Sequence, residues 1–192
     1  MQSQIMEEHE FNKINYTETA LPKGEYELCT FNGCDFSNSE LSKIKFMECE
    51  FVGCNLSSVN IFGASFQEVK FEDCKMLGIR FDLCDSFGLA IEFTNCQLDH
   101  SSFYQVKLIN SSFLNCKLKD IDFTGADLTK VSLDNCDLSG AIFDRSNLEK
   151  ANFSSAFNYS IDPENNKVKG ASFSIPAVTG LLDKYQLKIA NQ

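Results

Sequence analysis

Residues 111–157 read SSFLNCKLKDIDFTGADLTKVSLDNCDLSGAIFDRSNLEKANFSSAF, and a large apolar residue returns at every fifth position: Phe113, Leu118, Phe123, Leu128, Leu133, Leu138, Phe143, Leu148 and Phe153. Two residues before these centres stand smaller side chains such as Cys116, Ala126, Val131, Cys136 and Ala141. Alternate residues of an extended segment share a face, so the smaller residue and the centre enter one core. The residue between them points outward and is usually polar, as at Lys117, Asp122, Asp127 and Asp137. Two residues after the centres come turn formers: Asn115, Asp120, Gly125, Asn135 and Gly140. Glycine and asparagine tolerate the bent or positive-φ backbone of a corner. Each pentad is therefore one short straight side followed by one corner.

The same beat runs outward from this stretch. It begins at Phe11 and continues through Phe31, Phe51 and Phe71 to Phe81, then resumes at Phe93 two residues out of phase. A second period of twenty lies over the first. It relates Phe11, Phe31, Phe51 and Phe71; Cys34, Cys54 and Cys74; Cys96, Cys116 and Cys136; and Phe103, Phe123 and Phe143. Four pentads per turn stack like residues on like. An amphipathic helix needs apolar spacings of three and four, and an isolated sheet alternates at two. The spacing predicts an all-β solenoid, a quadrilateral β-helix of about seven coils, roughly 34 Å long at ~4.8 Å per coil.

At the level of pentads such as Ala126-Asp127-Leu128-Thr129-Lys130 and Ala151-Asn152-Phe153-Ser154-Ser155, the chain resembles the pentapeptide repeat proteins, over roughly residues 9–157. The resemblance implies a right-handed four-sided β-helix. Some members that confer quinolone resistance or protect gyrase dimerise through a C-terminal helix and bind DNA gyrase or topoisomerase IV where DNA would lie. The long loops of certain quinolone-resistance members have no counterpart here beyond two extra residues near Cys84.

Composition agrees with one repeated shape: 192 residues, 43% hydrophobic, 18 Phe and no Trp. The start, MQSQIMEEHEFNK, lacks the basic-then-apolar pattern of a signal peptide. The expectation is a cytoplasmic protein with no membrane contact. Nine cysteines sit two residues before beat positions, with Ser86 counted as the beat after Cys84, and read as small buried packing residues. They form no C-x-x-C pair and no metal-ligand spacing with His9 or His100, so neither a metal nor a cofactor is expected. Nucleotide-binding glycine loops, H-E-x-x-H and nucleophile elbows are missing, so no enzymatic activity is expected.

Two interruptions divide the chain. The segment 82–92 carries two residues more than two pentads need, either as a recognition element or as a bulge absorbed by the wall, with Phe87 and Leu89 displaced. The repeat domain spans 1–157, with a short N-terminal tail. Residues 158–192 read as a loop, a short C-terminal α-helix and a short strand at Leu187 and Ile189. Ser174 and Pro176 would start that helix, and Val178, Leu181, Leu182 and Tyr185 would line one face. It either caps the open end of the rod or forms a homodimer interface.

The net charge of −10 disfavours direct nucleic-acid binding and favours a basic protein partner. Candidate partner-binding acids are Glu25, Glu27, Glu48 and Glu68, and a second group of Asp122, Asp127, Asp137 and Asp144. Residues 11–157 carry −8, whereas ~34 Å of B-DNA carries roughly twenty phosphates. Two functions follow as expectations: a DNA-mimicking modulator of DNA gyrase or topoisomerase IV, and a scaffold or adaptor for another protein.

Overall fold

The computed structural model describes residues 4–109 and 111–189. Its strands are all parallel, and each coil repeats the one before it, twenty residues on. The first wall stacks Gln4–Glu7, Gly24–Glu27, Lys45–Met47 and Ser65–Gln67. The second wall is a nine-stranded sheet running from Glu10–Asn12 to Ser172–Phe173. Third and fourth walls are ladders of single bridges, Asn15–Asp35–Asn55–Lys75–Gln97–Lys117–Asp137–Phe157 and Arg80–Ser102–Asp122–Ile142. Nine stacked strands make eight turns, one more than the beat predicts, because the chain closes a last coil from Phe153 to Phe173 that the apolar rhythm does not mark. Gln4–Glu7 pairs with Gly24–Glu27, and Phe173 stands opposite Phe153 beyond the breaker-rich loop.

Stacked rings fill the interior. Phe31 lies 4.7 Å from Phe11 and from Phe51, and Phe51 lies 4.9 Å from Phe71, all near-parallel, while rings of adjacent walls meet edge-on, as Phe46 and Phe51 do at 5.3 Å. Both arrangements suit the aromatic quadrupole. The cysteines are free, and all but Cys84 are buried. Cys34, Cys54, Cys74, Cys96, Cys116 and Cys136 form one column. Each thiol donates to a backbone carbonyl of the coil before it, as Cys54 does to Phe31 at 3.2 Å and Cys74 to Phe51 at 3.3 Å. Burial pushes the Cys49 thiol up to about 12. The bond with the next thiol, together with burial, does the same for Cys96 and Cys116.

Corners follow the predicted places. Gly33, Asn38, Gly53, Ser58, Asn95, Asn115, Gly125 and Asn135 have positive φ, and so do residues with no such preference, including Leu28, Glu48, Glu68 and Lys130. The outward polar residue ahead of the centre shapes the bend after it. Asp35 accepts from Ser37 N–H at 2.9 Å, Asp122 from Thr124 at 2.8 Å, Asp127 from Thr129 at 3.0 Å and Asp137 from Ser139 at 3.1 Å. These are Asx turns. The Ser37 bond holds the Asp35 carboxyl below the usual carboxylate range.

The segment 82–92 interrupts the first wall, and the fourth wall's bridges also break beside it, between Glu40–Asn60 and Arg80–Ser102. Val69 pairs with Ile91 and Phe71 with Phe93, a step of twenty-two, and the second wall runs on without a gap. The first wall's strands stop at Ser65–Gln67, and its ladder resumes as Lys107–Asp127–Asn147–Lys167. Of the two residues expected to leave the wall, Phe87 does and Leu89 stays buried. Cys84 is half-buried and Ser86 exposed, so this pair does not take the small-residue and centre places.

The C-terminal segment is helical, but as two 3-10 turns, Val178–Leu181 and Asp183–Tyr185, rather than an α-helix. Gly180 is pressed onto the last coil: its carbonyl accepts from Ile161 N–H at 3.0 Å, and a Cβ there would lie 2.1 Å from the Tyr159 oxygen. Close docking of so short a piece on a curved end favours tight i to i+3 bonds, Leu182 to Thr179 and Tyr185 to Leu182. Gln186 then takes positive φ, and Leu187 and Ile189 continue without a strand. Lys184 reaches back to Asp162 at 2.7 Å and also pairs with Glu164, tying the turns to the coil they cover.

Candidate functional site

The solenoid separates inward from outward residues so sharply that any site must lie on its faces, corners or ends. The first predicted acidic group is brought together. Glu25 and Glu27 lie on one first-wall strand, and Glu48 and Glu68 stack at the corner leading to the second wall. Lys45 is the register partner of Glu25 and forms a 2.9 Å ion pair with it. Beyond the corner, Glu48 and Glu68 line a shallow groove with Glu50, Lys70 and Glu92, in which Lys70 pairs with Glu50 at 3.3 Å.

The second acidic group is dispersed. Asp122 belongs to the fourth wall, Asp127 to the first and Asp137 to the third. Asp144 sits apart from all three walls' ladders, paired with Arg145 at 2.9 Å. Periodicity explains the scatter: acids five or ten apart in sequence fall on different walls, and only those twenty apart share one. Partial burial works against ionisation of Asp137, but bonds from Ser139 and Asn158 outweigh it and hold the carboxyl below its usual range.

At the C-terminal end, Val178, Leu182 and Tyr185 are exposed, whereas Leu181 is partly buried against the core. Tyr185 also donates to Glu164 at 2.9 Å. Ile175, 89% exposed, extends this apolar end beyond the predicted face.

The interruption gathers residues that the beat does not flag. Phe87, 78% exposed, projects from the bulge, with Tyr104 beside it across one groove and Ile109 on the next. Phe62 and Leu83 are exposed as well. The sequence signal for this cluster is the pair of extra residues between Phe81 and Phe93. No grouping of three or more histidine, cysteine or acidic side chains among the described residues could hold a metal ion. No helix among them is long and apolar enough to cross a membrane.

Comparison with known proteins agrees with this architecture. None of the curated proteins compared matches the chain. Trypsin-treated QnrB1, a plasmid-mediated fluoroquinolone resistance protein, superposes with a TM-score of 0.59 at 16% identity, over 98% of each chain. HetL, a pentapeptide repeat protein involved in heterocyst differentiation regulation in the cyanobacterium Nostoc sp., superposes with a TM-score of 0.57 at 16% identity, over 89% of this chain and 86% of that one. At such identities the likeness is one of fold. Residues 25–90 and 89–157 each match a pentapeptide repeat region, and the two matches meet inside the interruption. With well over half of its length so matched and with a four-sided parallel stack of twenty-residue coils, the chain belongs to the pentapeptide repeat family.

Proposed function

We propose that the rod is a non-catalytic protein-binding scaffold, an adaptor whose rigid outer surface docks another protein. The supporting observation is the alternation of charge along its walls. Glu25 meets Lys45, Glu50 meets Lys70 and then Glu92, and Lys107 meets Asp127, Asn147 and Lys167. A surface imitating DNA needs one sign repeated along the axis. A mixed surface suits recognition of a particular protein, where charge complementarity sets partner and register.

A second reading draws support from the net charge of −10 and from the stacked Glu48 and Glu68: a DNA-mimicking modulator of DNA gyrase or topoisomerase IV. Its fold neighbour QnrB1 is a fluoroquinolone resistance protein. In either reading the exposed end formed by Val178, Leu182 and Tyr185 joins two copies as a homodimer. Light scattering of the wild type and of Leu182→Glu tests this, with a twofold mass that the substitution halves.

Supercoiling and ciprofloxacin-cleavage assays with micromolar protein separate the two readings. The scaffold predicts no effect on either enzyme, together with a protein retained from host lysate by the immobilised rod. A change in cleavage that disappears on reversing Glu25, Glu27, Glu48 and Glu68 establishes the modulator. No retained protein and no enzymatic effect overturns both.

A further inference from the structure

The interruption of the first wall lies between features that together define a partner. Phe87 stands in solvent on a turn whose Gly88 has φ +67, with Gln67 side-chain atoms 3.2 Å from where a Cβ would be. Asp85 accepts the Phe87 N–H at 3.0 Å, which fixes the aromatic residue outward instead of leaving it on a loose loop. Grooves run along both flanks of this turn. The one toward Tyr104 shares Ser86, Gly88, Leu89 and Lys107 with the one toward Ile109. The latter groove shares Glu68 and Ala90 with the acidic groove of Glu48, Glu50 and Glu92. The result is one continuous trough, with Phe87, Tyr104 and Ile109 exposed at the bulge and carboxylates at the corner.

Its cations do not balance its acids. Lys70 is engaged by Glu50, and Lys107 is the other base lining the trough, against Glu48, Glu68 and Glu92. An exposed aromatic residue beside a hollow partly lined by Leu89, Tyr104 and Val106 is a contact that a protein surface leaves open at cost, and such residues anchor interfaces when water is excluded around them. The acidic flank selects the sign of what lies along it.

We infer that the trough from Tyr104 and Phe87 to Glu48 and Glu92 docks a cationic peptide segment of a partner protein. An apolar side chain of that segment seats against Phe87, and its lysine or arginine residues lie along Glu48, Glu68 and Glu92. The inference rests on the protein-binding reading and adds the place and the chemistry. The two extra residues of the 82–92 segment thereby become the element that opens the site, since the second and third walls keep their ladders across it.

The test uses the full chain and fluorescein-labelled peptides: lysine–serine repeats with a central leucine pair, the same peptide with serine replacing the leucines, and a glutamate version of the first. Anisotropy titration is expected to show binding of the leucine-bearing cationic peptide, about tenfold weaker binding without the leucines, and none of the glutamate version. Phe87→Ser and the pair Glu68→Lys with Glu92→Lys each weaken it by about tenfold or more. Phe157→Ser, an exposed aromatic of the third wall, leaves it unchanged. Phe87 is mostly solvated, so its replacement leaves melting unaltered. Equal binding by wild type and Phe87→Ser overturns the site while the protein-binding reading stands, because the peptide is then held elsewhere. No binding of the cationic peptide to the wild type also overturns the site, and lysate retention decides the wider reading independently.

Discussion

At the scale of single residues, the corner is where sequence preference and backbone demand meet, and they do not always agree. Gly140 has φ +69, and a Cβ there would fall within 2.1 Å of the Asp120 carboxylate. Lys130 holds φ +64 with its side chain exposed. A left-handed conformation costs an L-residue about 1–2 kcal/mol. Gly140→Ala should therefore lower unfolding stability by about that amount, and Lys130→Gly should raise it by about 0.5–1 kcal/mol after the added entropy of the unfolded chain. Urea melts with unchanged slope read both signs. Corners carrying glycine or asparagine were legible from composition alone. Those at Leu28, Glu48 and Lys130 were legible only through their place in the period, since nothing in their chemistry prefers positive φ. The same holds for Asp122, Asp127 and Asp137: their outward direction follows from the pentad, but the Asx turn each closes requires the bend itself.

At the scale of elements, the twenty-residue period made the ring and thiol columns legible, and burial of a thiol has chemical consequences. In the folded rod, burial keeps the Cys49 proton in place up to about 12, while an unfolded thiol releases its proton near 9. At this site the native state binds more protons between those limits, so its contribution to stability is complete below pH 9 and falls as pH rises toward 12. Denaturant midpoints across that range should decline, and less so in Cys49→Ala. A flat profile, or fast labelling of Cys49 by an aqueous reagent at pH 8, would show that this thiol is open to water. The terminal turns were less legible. Val178, Leu181, Leu182 and Tyr185 have helical spacing, but Gly180 against Tyr159 and the pull of Lys184 toward Asp162 are tertiary contacts that tighten the coil into 3-10 geometry.

At the scale of the whole molecule, the solenoid allots the chain's chemistry to surfaces. Most phenylalanines and the buried cysteines belong to the core, carboxylates spread over four walls, and one local excess of two residues opens the first wall. Sequence period alone located that excess. It could not say which wall would carry it, because that depends on which ladders can pass the step of twenty-two intact, and the second wall does so at Lys70–Glu92 and Phe71–Phe93. The proposed docking trough exists only if the second and third walls stay in register while the first opens. The most direct measurement is copper-catalysed disulfide trapping of paired surface cysteines, the buried native thiols serving as an unreactive background. Lys70→Cys with Glu92→Cys should crosslink readily, as parallel register partners lie within disulfide reach of about 5 Å, while Lys70→Cys with Ala90→Cys should remain reduced. Crosslinking of the second pair in preference to the first would place the excess elsewhere and contradict the account.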